Sequence, residues 1–256
     1  MLAELHQKGG RLCEPARSGQ LHCPLLIRPT SEDVITAHVV ETLRIVNPRH
    51  WVSDLLSLAL GRPFRRQVFR KFRIEPWVSK PRYPTHLLPW DEGSTQVDIQ
   101  VSWENPATTI YIEAKYGSDL SKSVSGDDGR SGYPSDQLIR NVRVGLLDTG
   151  HLHEVELFDT PPRNFAVILF SPTKGHPLVA RYRNLEVLQS SIPHADRFRW
   201  PEEPIVGELD YLGLRSILSS RYRLMTRAER TAAQALEEYL SFKSATRPRI
   251  GLKMAD

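Results

Sequence analysis

The segment Thr95–Tyr116 constrains the fold of this chain most, because its side chains alternate with a period of two residues on both sides of a turn. Alternation of this kind places apolar and polar residues on opposite faces of a β-strand. Residues 104–106, with the sequence Glu-Asn-Pro, supply the turn, so the segment predicts an antiparallel hairpin in which Asp98 lies beside Glu113. The predicted apolar positions are Val97, Ile99 and Val101 in the first strand and Ile110, Ile112 and Ala114 in the second.

Two carboxylates on the polar face of this hairpin predict a divalent metal site. Asp98 and Glu113 would repel each other unless a cation lies between them, and hard oxygen ligands with open positions suit Mg²⁺ or Mn²⁺. The backbone carbonyl of Ala114 is a further candidate ligand. Lys115 is expected on the same face, where its side chain could orient or deprotonate a metal-bound water, or neutralise charge in a phosphoryl-transfer transition state.

Asp98, followed on the next strand by Glu113-Ala114-Lys115, resembles the motif of the PD-(D/E)XK nuclease superfamily. The resemblance implies the restriction-endonuclease-like α/β fold, with an αβββαβ core and a mixed central sheet flanked by helices. It also implies a nuclease that hydrolyses DNA phosphodiester bonds with Mg²⁺ or Mn²⁺ as cofactor, Asp98 and Glu113 as metal ligands, and Lys115 as the water-orienting group. Val97 replaces the proline of the name-giving dipeptide, but the metal contacts only the carboxylate that follows.

The resemblance extends to a glutamate on the first helix, which joins the metal site in similar nucleases. Thr30 or Ser31 is a good N-cap for a helical pattern that follows. Glu32 is therefore the candidate, with Glu41 in reserve. The alternative is that Glu32 only complements the dipole of its helix.

A further helix is predicted after the hairpin, beginning near Asp136. In the exonuclease-like branch of the superfamily, a glutamine near the start of this helix contacts the metal-bound water or the substrate, and Gln137 matches it. That branch has a tyrosine four residues later, where this chain has Asn141. The alternative for Gln137 is an ordinary amide on the helix surface.

Basic residues cluster in two stretches, although the net charge of the chain is only +4. The first stretch runs from Arg62 to Arg82 and is interleaved with aromatic residues; the second runs from Arg215 to Arg230. Arginine suits phosphate, so the first stretch predicts contacts with the backbone of nucleic acid, and the resemblance implies that this nucleic acid is DNA. The alternative is a charged strand or helix exterior. The candidate nucleic-acid-binding residues are Arg65, Arg66, Arg70 and Lys71.

Composition predicts one sizeable α/β domain, since 40% hydrophobic and 25% charged residues in a chain of 256 are ordinary for globular proteins. We expect a loosely ordered segment at 1–24 and a single nuclease-like domain at 25–256, with its core at about 29–172 and a C-terminal helical extension at 173–256. Helices are expected near 31–46, 51–60, 134–148, 210–220 and 227–243, and strands, besides the hairpin, near 66–74 and 165–171.

Other residues exclude several classes of protein. Cys13 and Cys23 are too few for a disulfide framework or a four-ligand zinc site, so we expect a reduced, cytoplasmic protein. No apolar run could span a membrane, and no signal-peptide pattern is present. His151-x-His153 is expected to be a surface turn. Asp127-Asp128 is expected to lie in a solvated loop.

Three functions stay open at this point. The first is the metal-dependent nuclease, which the resemblance places among bacterial restriction or antiphage defence effectors, some of which depend on a partner protein. The second is a catalytically idle nuclease-fold protein that binds nucleic acid or a partner. The third is an unrelated α/β binding protein in which Asp98, Glu113 and Lys115 form a plain surface ion pair. The amphipathic terminal helix is expected to pack on the domain or on a second subunit of a homodimer.

Overall fold

The computed structural model describes residues 31–65, 67–90, 92–117, 120, 132–153 and 161–245. The predicted loose segment 1–24, Arg66 and Asp127-Asp128 lie outside these residues. The helices are α1 (Glu32–Ile45), α2 (Val52–Leu60), α3 (Gln137–Asp148), α4 (Pro177–Arg183), α5 (Leu185–Ser190), α6 (Tyr211–Ser220) and α7 (Arg227–Ala245). The strands are β1 (Arg70–Lys80), β2 (Thr95–Glu104), β3 (Thr108–Ala114), β4 (Asn164–Ser171) and β5 (Val206–Asp210).

The five strands form one mixed sheet in the order β1-β2-β3-β4-β5. β1, β2 and β3 pair antiparallel, and Ile99 lies opposite Ile112 as the predicted hairpin requires. β3, β4 and β5 pair parallel, so each connection crosses over the sheet: α3 links β3 to β4, and α4 with α5 links β4 to β5. The α/β class and the mixed sheet flanked by helices are confirmed.

Helices cover both faces of the sheet because each face is apolar along its central strands. α1, α2, α6 and α7 pack on the face that carries Ile112 and Ile168. α3 and α4 pack on the opposite face, which carries Tyr111 and Val167. All seven residues of β3 are buried, so the face predicted to be polar lies beneath α3 and is not solvated.

The burial of β2 follows the predicted alternation. Val97, Ile99 and Val101 are buried, and the residues between them are only partly buried. Ile99 and Val101 belong to the core on the α1 side of the sheet, whereas Val97, near the start of the strand, belongs to the core cluster that contains the residues of α3.

The close approach of α3 to β4 gives a direct test of this packing. A Cβ atom added at Gly145 would lie 1.8 Å from the ring of Phe165. We expect Gly145→Ala to lower the free energy of unfolding by about 1–3 kcal/mol, although alanine is the better helix former. Urea denaturation measures this value. Gly93→Ala is the matched control because a Cβ there meets nothing within 4 Å. A Gly145→Ala protein as stable as the parent would contradict the packing of α3.

β1 extends further than the strand predicted near 66–74, because it continues through Pro76 to Lys80. The expectation ended before Pro76 because proline cannot donate a hydrogen bond to a neighbouring strand. β1 is the edge strand of the sheet, and one side of an edge strand needs no donor.

The prediction that residues 173–256 form a helical extension outside the sheet was wrong, because this region contributes the strand β5. β5 pairs with β4, so the sheet continues beyond residue 172. Pro177 of this extension is compatible with helix, because it occupies the first turn of α4, where its missing N–H costs nothing. α7 packs on α1 and α6. The sequence left open whether this terminal helix packs on the domain or on a second subunit, and the structure shows packing on the domain.

No helix in the described ranges is both long enough and apolar enough to cross a membrane.

Candidate active site

A cleft of about 370 Å³ lies where β2 begins and β3 ends, against the first turns of α1 and α3. The two strands and the two helix starts contribute polar side chains to it. The structure brings together all five predicted catalytic residues, since the lining of the cleft includes Glu32, Asp98, Glu113, Lys115 and Gln137.

The centre of the cleft is a buried ion pair between residues two apart on β3 and its extension. Lys115 Nζ lies 2.9 Å from Glu113 Oε1 and 3.6 Å from Glu32 Oε2. Only 3% of Glu113 is exposed. The pair is therefore not a plain surface ion pair, which removes the main premise of the unrelated binding protein.

The surrounding carboxylates decide the charge of Lys115. Burial opposes its charged form, but Glu113, Glu32 and Asp98 together outweigh burial and raise the pKa of Lys115. Orienting a water and neutralising charge, two of the roles predicted for Lys115, are tasks of this charged form.

Backbone N–H groups of the same segment hold the other two carboxylates. The N–H of Ala114 donates to Asp98 Oδ2 at 3.0 Å, and the N–H of Tyr116 donates to Glu32 Oε1 at 2.9 Å. Glu32 thus contacts the residues that directly follow β3 and does more than complement the dipole of α1. Glu41, the reserve candidate, is ion-paired with Arg44 at 3.6 Å on the same helix.

Asn141 is a site residue that the sequence reasoning noted only as a departure from tyrosine. Its Nδ2 donates to Glu113 Oε2 at 2.9 Å, and only 1% of the residue is exposed. Because Lys115 holds Oε1, both oxygens of Glu113 have a defined partner. The available signal was the spacing of four residues from Gln137, which puts both side chains on one face of α3.

Gln137 is exposed at the first position of α3 and lines the cleft. The helix begins there because the side chain of Asp136 accepts from the N–H of Ile139 at 3.0 Å. A second missed residue, Tyr211 of α6, donates its hydroxyl to the backbone oxygen of Lys115 at 2.8 Å. No sequence pattern connects these two residues, which lie on elements far apart in the chain.

The donor set of the cleft fits a hard divalent cation. Within the described ranges, no three Asp, Glu, His or Cys side chains lie close enough together to hold a metal ion. Asp98 and Glu113 would therefore share an ion with water, with the carbonyl of Ala114 as the further candidate. Mg²⁺ fits such a site because it is commonly bound by one or two carboxylates and retains several waters.

The candidate nucleic-acid-binding residues lie towards the other end of β2. Arg70 is opposite Glu104, six positions from Asp98 along the strand, which corresponds to about 20 Å. Arg65, Arg70 and Lys71 are exposed, while Arg66 is outside the described residues. The aromatic residues interleaved with them are Phe64, Phe69 and Phe72. These rings are partly buried and pack against the core, which accounts for their presence.

Several other basic or histidine side chains have structural partners. Lys80 is buried and lies 2.8 Å from Asp148, and Arg221 of the second basic stretch donates to Asp54. The expected surface turn at His151-x-His153 was wrong for His151, of which only 3% is exposed; burial lowers its pKa to about 4. His153 is exposed as predicted, but it follows an isolated bridge between Leu152 and Phe198 and does not lie in a turn.

Comparisons of the chain with protein-family models, with curated protein sequences and with solved structures found no match.

Proposed function

We propose that this protein is a metal-dependent nuclease of the PD-(D/E)XK type that hydrolyses DNA phosphodiester bonds. The observation that carries the proposal is the buried carboxylate of Glu113, held by Lys115 and Asn141 in the same cleft as Asp98 and Glu32. The order α1, α2, β1, β2, β3, α3, β4 supports the proposal, because it contains the αβββαβ order that the resemblance implies, with α2 as an additional helix. The resemblance further favours a role in bacterial restriction or antiphage defence.

Each residue of the cleft has a defined task in this proposal. Asp98 and Glu113 hold the ion, which, when bound, polarises a phosphoryl oxygen and lowers the pKa of its bound water. The Lys115 ammonium orients the attacking water and offsets negative charge on the phosphate. Glu32 holds Lys115 from the side of α1. Gln137, exposed at the start of α3, donates its amide to the water or to the phosphate.

The test is cleavage of supercoiled plasmid DNA by the purified protein with Mg²⁺, Mn²⁺, Ca²⁺ or excess EDTA. We expect cleavage with Mg²⁺ and Mn²⁺, and binding without cleavage in Ca²⁺, because Ca²⁺ adopts looser coordination than the reaction requires. Rapid cleavage in EDTA would contradict the proposal. Tight DNA binding with no cleavage under any metal would instead identify the catalytically idle alternative.

Asn141 provides a graded test of the site. Asn141→Ala removes the hydrogen bond to Glu113 Oε2, so we expect the rate of Mg²⁺-dependent cleavage to fall about 10–100-fold. Asn141→Asp keeps the volume but adds a carboxylate beside Glu113, and we expect it to be slower than Asn141→Ala. Single-turnover cleavage measures both rates. An Asn141→Asp protein that is as fast as the parent would show that Asn141 only fills space.

The basic stretch provides a test that is independent of the metal. Replacing Arg65, Arg66, Arg70 and Lys71 with glutamine should weaken DNA binding for all sequences. Each phosphate contact releases condensed counterions from the DNA, so a protein with fewer contacts releases fewer of them. The slope of log affinity against log salt should flatten by about one unit per lost contact. Binding is measured in Ca²⁺ over a salt series, with Ca²⁺ affinity by calorimetry as the control. An unchanged slope would assign these residues to a solvated exterior and direct attention to Arg215–Arg230.

A further inference from the structure

A second cavity, of about 340 Å³, lies at the opposite end of the central strands from the cleft. Thr108 at the start of β3 and Asn164 at the start of β4 line it, whereas the cleft lies at the end of β3. The two ends of β3 are six residue steps apart, which corresponds to about 20 Å. The volume is within the range of small-molecule sites.

The cavity wall combines aromatic rings with guanidinium groups, and no acidic residue is among the described residues that line it. Trp103 and Trp200 contribute rings. Arg163 is fixed in the wall, since it donates to Glu104 at 2.9 Å and to the backbone oxygen of Trp103 at 3.0 Å. Arg62 lies at the rim, where its partner Glu203 is 54% exposed and therefore easily replaced by another anion.

A buried histidine supplies a hydrogen-bond acceptor to the cavity. The Thr149 hydroxyl lies 2.6 Å from the carbonyl oxygen of Gly145, so its single proton is donated there. The contact of 2.8 Å between Thr149 Oγ1 and His151 Nδ1 therefore requires Nδ1 to carry a proton. His151 Nε2 then carries the lone pair, and no donor among the described residues reaches it. His151 lines the cavity although only 3% of it is exposed.

We propose that this cavity is a binding site for a nucleoside monophosphate. In this site a planar heterocycle stacks on the aromatic residues of the wall, and its N–H or amino group donates to His151 Nε2. The phosphate lies at the rim and replaces Glu203 on Arg62. The assignment stands on these residues alone and does not depend on the nuclease function proposed for the cleft.

The test is calorimetric titration of the full chain with AMP, GMP, CMP and UMP, with adenosine and inorganic phosphate as separate arms. We expect saturable 1:1 binding of at least one nucleotide, tighter than that of adenosine or of phosphate. If none of the four nucleotides saturates the protein, the proposal is overturned. If the protein binds AMP, and binds adenosine with the same affinity, the assignment of Arg62 as the phosphate-binding residue would be overturned.

Two variants locate the ligand. Arg62→Gln should weaken nucleotide binding about tenfold by removing a charge-assisted hydrogen bond at the rim. His151→Phe should weaken it at least as much, because phenylalanine keeps the ring but has no acceptor. His86→Gln, at an exposed position outside the cavity, and Lys115→Met, in the cleft, should leave the affinity unchanged. Loss of nucleotide binding in Lys115→Met would place the ligand in the cleft and overturn the proposal.

A measurement on the unaltered protein covers the case in which His151→Phe fails to fold. The imidazole ¹⁵N signal of His151 Nε2 should shift when the nucleotide is added, because a free lone pair then accepts a hydrogen bond. The His153 signals, from an exposed ring two residues away, should not shift. A nucleotide that saturates the protein without moving the Nε2 signal would contradict the site.

Discussion

Replacement of Glu113 by glutamine is expected to lower Mg²⁺-dependent plasmid cleavage at least about a thousandfold, because losing several kcal/mol of metal-derived stabilisation corresponds to that factor. Glutamine keeps the size of the side chain and retains an oxygen that can accept from Asn141. The variant therefore removes the charge of one metal ligand with little change in packing. Single-turnover cleavage at saturating Mg²⁺ measures the effect, and calorimetry with Ca²⁺ should show weaker binding.

The matched control is Glu75→Gln, which removes an exposed glutamate from the edge strand of the same sheet and should leave cleavage unchanged. Urea denaturation of both variants separates loss of chemistry from loss of folding. This separation matters because Glu113 is buried, whereas the period-two pattern suggested a residue that carries little core packing. Near-normal cleavage by a folded Glu113→Gln protein would refute the proposed mechanism.

The hairpin was predictable because both of its determinants are local. Alternation with a period of two residues specified the strands, and the Glu-Asn-Pro turn specified their antiparallel pairing. The observed register pairs Ile99 with Ile112, and Asp98 and Glu113 are the next residues beyond this last pair. The environment of this face was not predictable in the same way. Its burial depends on α3, which packs on the sheet from a position beyond the hairpin in the chain.

Residues recruited to the site from a distance left weaker signals in the sequence. Asn141 could have been found from its helical spacing to Gln137, but its partner on β3 depends on how α3 lies over the sheet. Tyr211 contacts the backbone of Lys115, and a contact of this kind leaves no trace in side-chain patterns. β5 was missed because its sequence, Val-Gly-Glu-Leu-Asp, has too few apolar residues to be distinguished from a loop.

Lys115→Met is expected to lower the rate of DNA cleavage and to raise the affinity of the cleft for Ca²⁺. Cleavage should fall by about 10²–10³-fold, the usual cost of removing a group that stabilises developing charge. Affinity for Ca²⁺ should rise by about tenfold or more, because the ammonium competes with a cation for the same carboxylates. Lys115 Nζ lies 2.9 Å from Glu113 and 3.6 Å from Glu32, so its removal leaves both acids uncompensated.

Lys80→Met is the matched control for this prediction. Lys80 is also a buried lysine of the same sheet with a carboxylate partner, Asp148 at 2.8 Å, but it does not line the cleft. Its replacement should therefore leave Ca²⁺ affinity unchanged. Calorimetry with Ca²⁺ and single-turnover cleavage with Mg²⁺ give the two readouts on the same preparations. Removal of a lysine with only a structural role could lower the Ca²⁺ affinity but could not raise it. Weaker Ca²⁺ binding in Lys115→Met would therefore show that Lys115 does not compete with a cation for Glu113 and Glu32.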